Sequence, residues 1–180
     1  MKKLNILIVL FVFCNLLHAQ KYMTQNGVIS FFSSTPVEDI EAINNQVSAV
    51  VNTENGELAA VLLMKAFNFE KALMQEHFNE KYVESDKFPK SVFKGKIVDF
   101  DGLEVGNDPV TVMINGELTI HGVTNAVEVE GTISKNESVL NLSTTFNVLV
   151  ADYDIKIPGA VKENIAKSIA VNVKLELNKM

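Results

Sequence analysis

The 180-residue sequence contains no arginine; all sixteen basic residues are lysines. A site built on bidentate guanidinium contacts to phosphate or carboxylate is therefore excluded. Nucleic acid is disfavoured as a partner, the more so at a formal net charge of −6. Cysteine is nearly absent. Cys14 stands alone inside an N-terminal apolar run, so its loss with that run would leave no disulfide, no thiol nucleophile and no cysteine metal site. Also missing are a Gly-x-Ser-x-Gly elbow and a phosphate-binding glycine loop. No linker, low-complexity tract or fixed-period repeat interrupts the chain. Beyond the N-terminal run nothing is long and apolar enough to span a bilayer, so no stable membrane span is expected.

The chain opens "MKKLNILIVLFVFCNLLHAQ". Lys2 and Lys3 precede an apolar run to about Leu17, and Ala19 offers a small residue for cleavage. This layout predicts a secretory signal over residues 1–19. A lipid anchor through Cys14 is the rival, but Phe13 stands where lipoprotein signals need a small residue. Cleavage after Ala19 or Gln20 leaves about 160 residues, enough for one domain with its own core. It also removes Lys2 and Lys3 and takes the formal charge from −6 to −8. The domain at 20–180 is thus expected in the periplasm or outside the cell, stabilised by packing alone.

What the rest of the chain has is period-2 alternation. In "SIAVNVKLEL", Ile169, Val171, Val173, Leu175 and Leu177 point one way, while Ala170, Asn172, Lys174 and Glu176 point the other. Val110, Val112, Ile114, Gly116, Leu118 and Ile120 share a face, continued by Val127, Val129, Gly131 and Ile133 after a turn. Leu140, Leu142, Thr144, Phe146, Val148 and Val150 repeat the pattern. One dry face and one wet face predicts an antiparallel sheet curved around something apolar.

Four further strands are expected at about 27–34, 46–53, 57–67 and 90–100. Asn55-Gly56 is read as a two-residue type I′ hairpin. Eight antiparallel strands can close into a barrel whose interior is filled by side chains or holds one small ligand. In "NFEKALMQEHFNEKYVES", Leu73, Met74, His77, Phe78 and Tyr82 recur at helical spacing. This predicts a helix over about 69–83, capped by Asn68 and packed on the barrel or over one mouth. "TPVEDIEAIN", residues 35–44, reads as a shorter helix with Pro36 early and acids in the first turn.

Two stretches carry a family resemblance. "EHFNEKYVESDKFPKSVFKG" contains His77, Phe78, Phe88, Pro89 and Phe93; "GELTIHGVTNAVEVEG" contains Gly116, Leu118, Thr119, His121, Gly122, Val123 and Thr124. Together they resemble the YceI-like polyisoprenoid-binding family. The resemblance implies an exported, lipocalin-like eight-stranded barrel holding a long isoprenoid or similar lipid. The chain departs from the family pattern at Asn125-Ala126, at Lys81-Tyr82-Val83, and in "GVISFFSSTPVEDIEAI", which replaces an early His-Ser strand. It reads as a divergent branch.

The inward faces carry no acid, base or nucleophile, which favours binding over catalysis. Phe31, Phe67, Phe69, Phe93 and Phe146 are expected to line a tunnel or fill it, with Gly116, Gly131 and several valines on the inward faces leaving room. Ile114, Leu118, Val171 and Val173 complete the expected apolar wall. His77 shares the helix stripe, and three roles stay open: pinning the helix through hydrogen bonds, offering a polar handle to a ligand, or ligating a metal with Glu76 or Glu80. His121 sits in a tight turn and is expected to bond neighbouring backbone, with contact to a lipid headgroup at the rim as the alternative. "DFDGLEVGND", residues 99–108, begins like a calcium loop but lacks its register and reads as a solvated hairpin loop. Asp152 and Asp154 are read as polar strand ends.

The expectation is an all-β domain with one principal helix, acting as a non-enzymatic carrier or sink for a long-chain apolar lipid, with no other cofactor. A homodimer is left open. Two alternatives stand beside it: a filled barrel with a structural or partner-binding role, and a metal-assisted enzyme using His77.

Overall fold

Alternation produces long strands because each residue pair places one side chain on either face of a pleated ribbon. In a computed structural model of the chain, residues 21–180 apart from Gly102 are described. The expected signal at 1–19, with Cys14, lies outside the described residues. Eight long strands are present: β1 (Lys21–Ser34), β2 (Asp39–Asn52), β3 (Glu57–Leu63), β5 (Lys90–Ile97), β6 (Val110–Ile120), β7 (Val123–Asn136), β8 (Val139–Leu149) and β9 (Ser168–Lys179). A two-residue strand, β4 (Asn68–Phe69), adds to β2. Every pairing is antiparallel. The order β1-β9-β8-β7-β6-β5-β3-β2 closes through β1–β2 into a barrel, so the eight staves leave no open edge.

The two ends of the barrel differ. At the base lie Lys21, the C-terminus and the connections 53–56, 98–109 and 137–138; at the top lie 35–38, 64–89, 121–122 and 150–167. The base is solid. Tyr22, Val51, Ile97, Ile133, Leu140 and Leu177 are each 1% exposed or less. Phe100 seals them from the β5–β6 loop over Gly56, where φ is +75° and a Cβ would lie 2.7 Å from the Phe100 Cβ. The loop 99–108 is therefore only partly the solvated connection expected, since Phe100, Leu103 and Val105 pack on the core.

Several local expectations are corrected. Residues 39–44 form the start of β2 rather than a helix. Ile29 to Ser34 of β1 supply successive ladder partners for them, and the alternation buries Ala42 and Asn44 while Asp39 and Glu41 face out. Tertiary pairing outweighs the helix-start chemistry of Pro36 and its acids. Asn44 is fully buried and satisfied, donating to Leu63 O at 3.0 Å and accepting from Gln46 N–H at 2.8 Å across a bulge. The Asn55-Gly56 hairpin is longer than two residues. Only Gly56 has positive φ, and its N–H bonds Asn52 O at 2.9 Å. The two-residue hairpin falls instead at His121-Gly122, with φ of 51° and 77° and Ile120 paired to Val123.

β3 stops at Leu63 instead of continuing to 67, and a 3₁₀ turn (Met64–Ala66) follows. The helix is shorter than the expected 69–83. α1 spans Ala72–His77 and passes into a π-helical turn over Phe78–Tyr82. Asn68 does not cap it, because its amide bonds Ala66 O at 3.2 Å and the N-cap position is Lys71.

Candidate functional site

The inward faces change character along the barrel. On β9, Leu177 and Leu175 are buried at the base, whereas Val173, Val171 and Ile169 above them keep accessible surface although they point inward. β7 and β8 repeat this, with Ile133 and Leu140 buried but Val129, Val127, Thr144 and Phe146 partly accessible. Inward residues retain accessible surface only where the interior is hollow. The hollow is a cavity of about 530 Å3, within the range of roughly 300–1,000 Å3 typical of ligand pockets. Leu142, Leu175, Ile114 and Leu58 form its floor.

All ten residues named from sequence lie on this one cavity: Phe31, Phe67, Phe69, His77, Phe93, Ile114, Leu118, Phe146, Val171 and Val173. Four aromatic rings form one wall rather than a plug. Phe31 stands 5.2 Å from Phe67, 5.7 Å from Phe69 and 5.5 Å from Phe78 between ring centroids, fastening the helix to β1. The glycines do not supply the room as expected. A Cβ on Gly95 or Gly116, which pair across β5 and β6, would lie 2.7 or 2.6 Å from Phe93 Cζ, and one on Gly131 would meet Ile114 Cδ1 at 3.1 Å. Glycine lets these larger side chains lie flat against the wall, and the inward valines Val127, Val129, Val171 and Val173 border the space, as the alternation suggests.

The top is covered by two segments. Leu73, Met74, His77, Phe78 and Tyr82 of the helix face the cavity, as the helical spacing predicts. From the β8–β9 connection come Ile155, Ile157, Val161 and Ile165. Sequence reading missed this second cover, although the alternation in "DIKIP" carries its signal. Glu38 joins the covers at the mouth. Lys71 Nζ donates to its Oε1 at 3.0 Å, and Asn164 Nδ2 to its Oε2 at 3.2 Å. These bonds, the lysine's first, hold the Glu38 carboxyl below the ordinary carboxylate value. Ala166 N–H pins the same connection to Ser33 Oγ at 2.9 Å. Glu38, Lys71 and Asn164 are separated by up to 126 positions, so no local pattern announces them.

His77 does not pin the helix through its ring, for which no hydrogen bond is found among the described residues. Glu76 and Glu80 are exposed and off the cavity wall. No group of three or more His, Cys, Asp or Glu side chains is placed to hold a metal among the described residues.

His121 answers to geometry and is not on the cavity wall. Its partners are remote in sequence rather than neighbouring backbone, with Nδ1 3.0 Å from Tyr153 O and Nε2 3.1 Å from Glu84 Oε2. The carbonyl can only accept, so Nδ1–H donates to it, and Nε2 can donate to the Glu84 carboxylate only when the ring is the imidazolium. Glu84 also pairs with Lys87, and bonds from Lys87 and then His121 hold its carboxyl below the ordinary value. Phe88 stacks edge-on against His121 at 4.5 Å and covers Gly122, where a Cβ would lie 2.6 Å from the ring. The two quoted motifs thus meet at the top of the barrel.

The YceI-like domain model matches residues 18–177. The chain belongs to the YceI-like family. Among curated proteins no relative matches. Solved structures similar to this YceI-like barrel include a polyisoprenoid-binding domain from Saccharophagus degradans, implicated in plant cell wall breakdown. That domain is 15% identical with a TM-score of 0.75, covering 90% of this chain and 99% of its own. BcnA of Burkholderia cenocepacia is 15% identical with a TM-score of 0.70, covering 83% and 95%. A Campylobacter jejuni YceI protein is 17% identical with a TM-score of 0.60, covering 76% and 83%. At these identities the likeness shows the fold. No helix is long and apolar enough to cross a membrane among the described residues.

Proposed function

We propose that this YceI-like protein is exported, with residues 1–19 removed as a signal, and holds a long-chain apolar lipid, isoprenoid or similar, inside its barrel without catalysing a reaction. The observation that carries this reading is the hollow upper barrel: a cavity of about 530 Å3 lined almost entirely by aliphatic and aromatic side chains above a solid base. Transfer of hydrocarbon out of water is worth about 0.8 kcal/mol per buried CH₂, so a few isoprene units supply ample driving force. Association and ordering costs take back part of it. The one-ended shape suits a guest whose tail points down and whose polar end stays at the mouth. An isoprenoid guest is supported by family membership and by the polyisoprenoid-binding neighbour. Native mass spectrometry of protein from its own host tests the reading. A copurified lipid of one chain class is expected; protein that carries no lipid and takes up none would refute it.

A further inference from the structure

We propose that the guest ends in an uncharged polar group, a hydroxyl or a carbonyl, and that the cavity discriminates against a diphosphate on the same chain. This rests on the lipid-binding reading above and narrows its ligand class.

Few polar groups on the cavity wall are free to meet a guest. Among the described residues, Lys71 is the one lysine lining the cavity and Glu38 the one carboxylate, and they are paired at 3.0 Å. The one ammonium on the cavity wall among the described residues is therefore already paired. Asn164 is also committed to Glu38, at 3.2 Å. Two hydroxyls are spent as donors: Ser91 Oγ donates to Thr119 O at 2.9 Å and Thr144 Oγ1 to Glu130 O at 2.6 Å, while Ser33 Oγ accepts from Ala166 N–H at 2.9 Å and keeps its own O–H. His77 and Tyr82 are the cavity-facing polar side chains for which no hydrogen bond is found among the described residues. Burial holds the Tyr82 hydroxyl above its ordinary titration range, so it stays protonated.

The unspent donors are few and uncharged, and they match a head with one or two oxygens. A diphosphate carries several charged oxygens that each need a donor or a cation, and without them the desolvation of the head is uncompensated. The chain's net negative charge adds repulsion to that deficit, and without arginine no guanidinium can offset it.

The test is displacement of N-phenyl-1-naphthylamine from lipid-stripped protein by geranylgeraniol or geranylgeranyl diphosphate. Low salt and pH 8, above the ordinary range of imidazole titration, keep histidine charge out of the comparison. The alcohol is expected to bind at least fivefold more tightly. Glu38→Gln, which frees the Lys71 charge at constant size, narrows that ratio fivefold or more, whereas Lys71→Met widens it. A diphosphate that binds as tightly as the alcohol overturns the proposal and leaves lipid binding standing. So does a ratio that neither folded variant moves. If the dye binds but neither isoprenoid displaces it, the isoprenoid reading itself falls.

Discussion

Ala60→Phe fills the space on which the functional reading depends. Ala60 lies mid-strand on β3, opposite Phe93, faces the cavity and is only partly buried, so its methyl borders open volume. Burying a phenyl ring there contributes about 1.5–3 kcal/mol. Adjustment of neighbours costs about 1–3 kcal/mol. The two offset each other, and urea unfolding should show stability within about 1 kcal/mol of the parent. A guest fares differently. The ring takes the volume of about five methylenes, and at about 0.8 kcal/mol each the guest loses about 4 kcal/mol, or roughly a thousandfold in Kd. Dye displacement with the same isoprenoid alcohol measures that loss, and Val129→Phe on β7 provides a second wall position. Unchanged affinity in a stable variant would show that the guest lies outside the barrel. A destabilisation of several kcal/mol would show that the interior has no spare volume.

Other outcomes follow from the same geometry. Leu118→Glu replaces a side chain that is 8% exposed with a carboxylate in the cluster it shares with Val148 and Tyr153; it should unfold the barrel or abolish lipid uptake, and normal circular dichroism with normal uptake would mean that this face of β6 points outward. His121→Ala loses the bond to Tyr153 O, worth about 1 kcal/mol, and leaves the backbone strain unchanged, because histidine already carries a Cβ at φ 51°; His121→Gly loses the same bond but removes that strain, about 1–2 kcal/mol, so urea midpoints at constant m-value should place it above His121→Ala in stability. For Glu84, the folded carboxyl titrates below its unfolded value, so its contribution to stability is present above the ordinary carboxylate range and is lost as pH falls through the lower folded value. Acid unfolding of Glu84→Gln should therefore be less steep over that window, and an identical acid profile would remove Glu84 and its partners from the account.

The sequence by itself determined the staves and their sidedness. Strict alternation from Val110 to Val150 and from Ile169 to Leu177 leaves a dry face and a wet face, and a one-residue slip would turn the dry face to water. It also determined the helix stripe and the chemistry excluded by missing arginine and cysteine. Part of the cavity wall was legible for the same reason: Ile114, Leu118, Phe146, Val171 and Val173 sit on apolar stripes, whereas Phe67 is out of phase with Leu58, Ala60 and Leu62 and reaches the cavity only because a 3₁₀ turn ends β3.

Tertiary structure decided the rest. Residues 39–44 carry helix-start chemistry and become a strand because β1 offers a row of partners. Whether the dry face encloses packed side chains or empty space is invisible to periodicity, which assigns Leu177 and Val171 the same role; one is buried in the base and the other borders the cavity. The catch formed by Glu38, Lys71 and Asn164, and the anchoring of His121 by Glu84 and Tyr153, join segments far apart in the chain. Such contacts depend on how the barrel closes and how its connections fold back over the mouth, and a local pattern of residues contains neither.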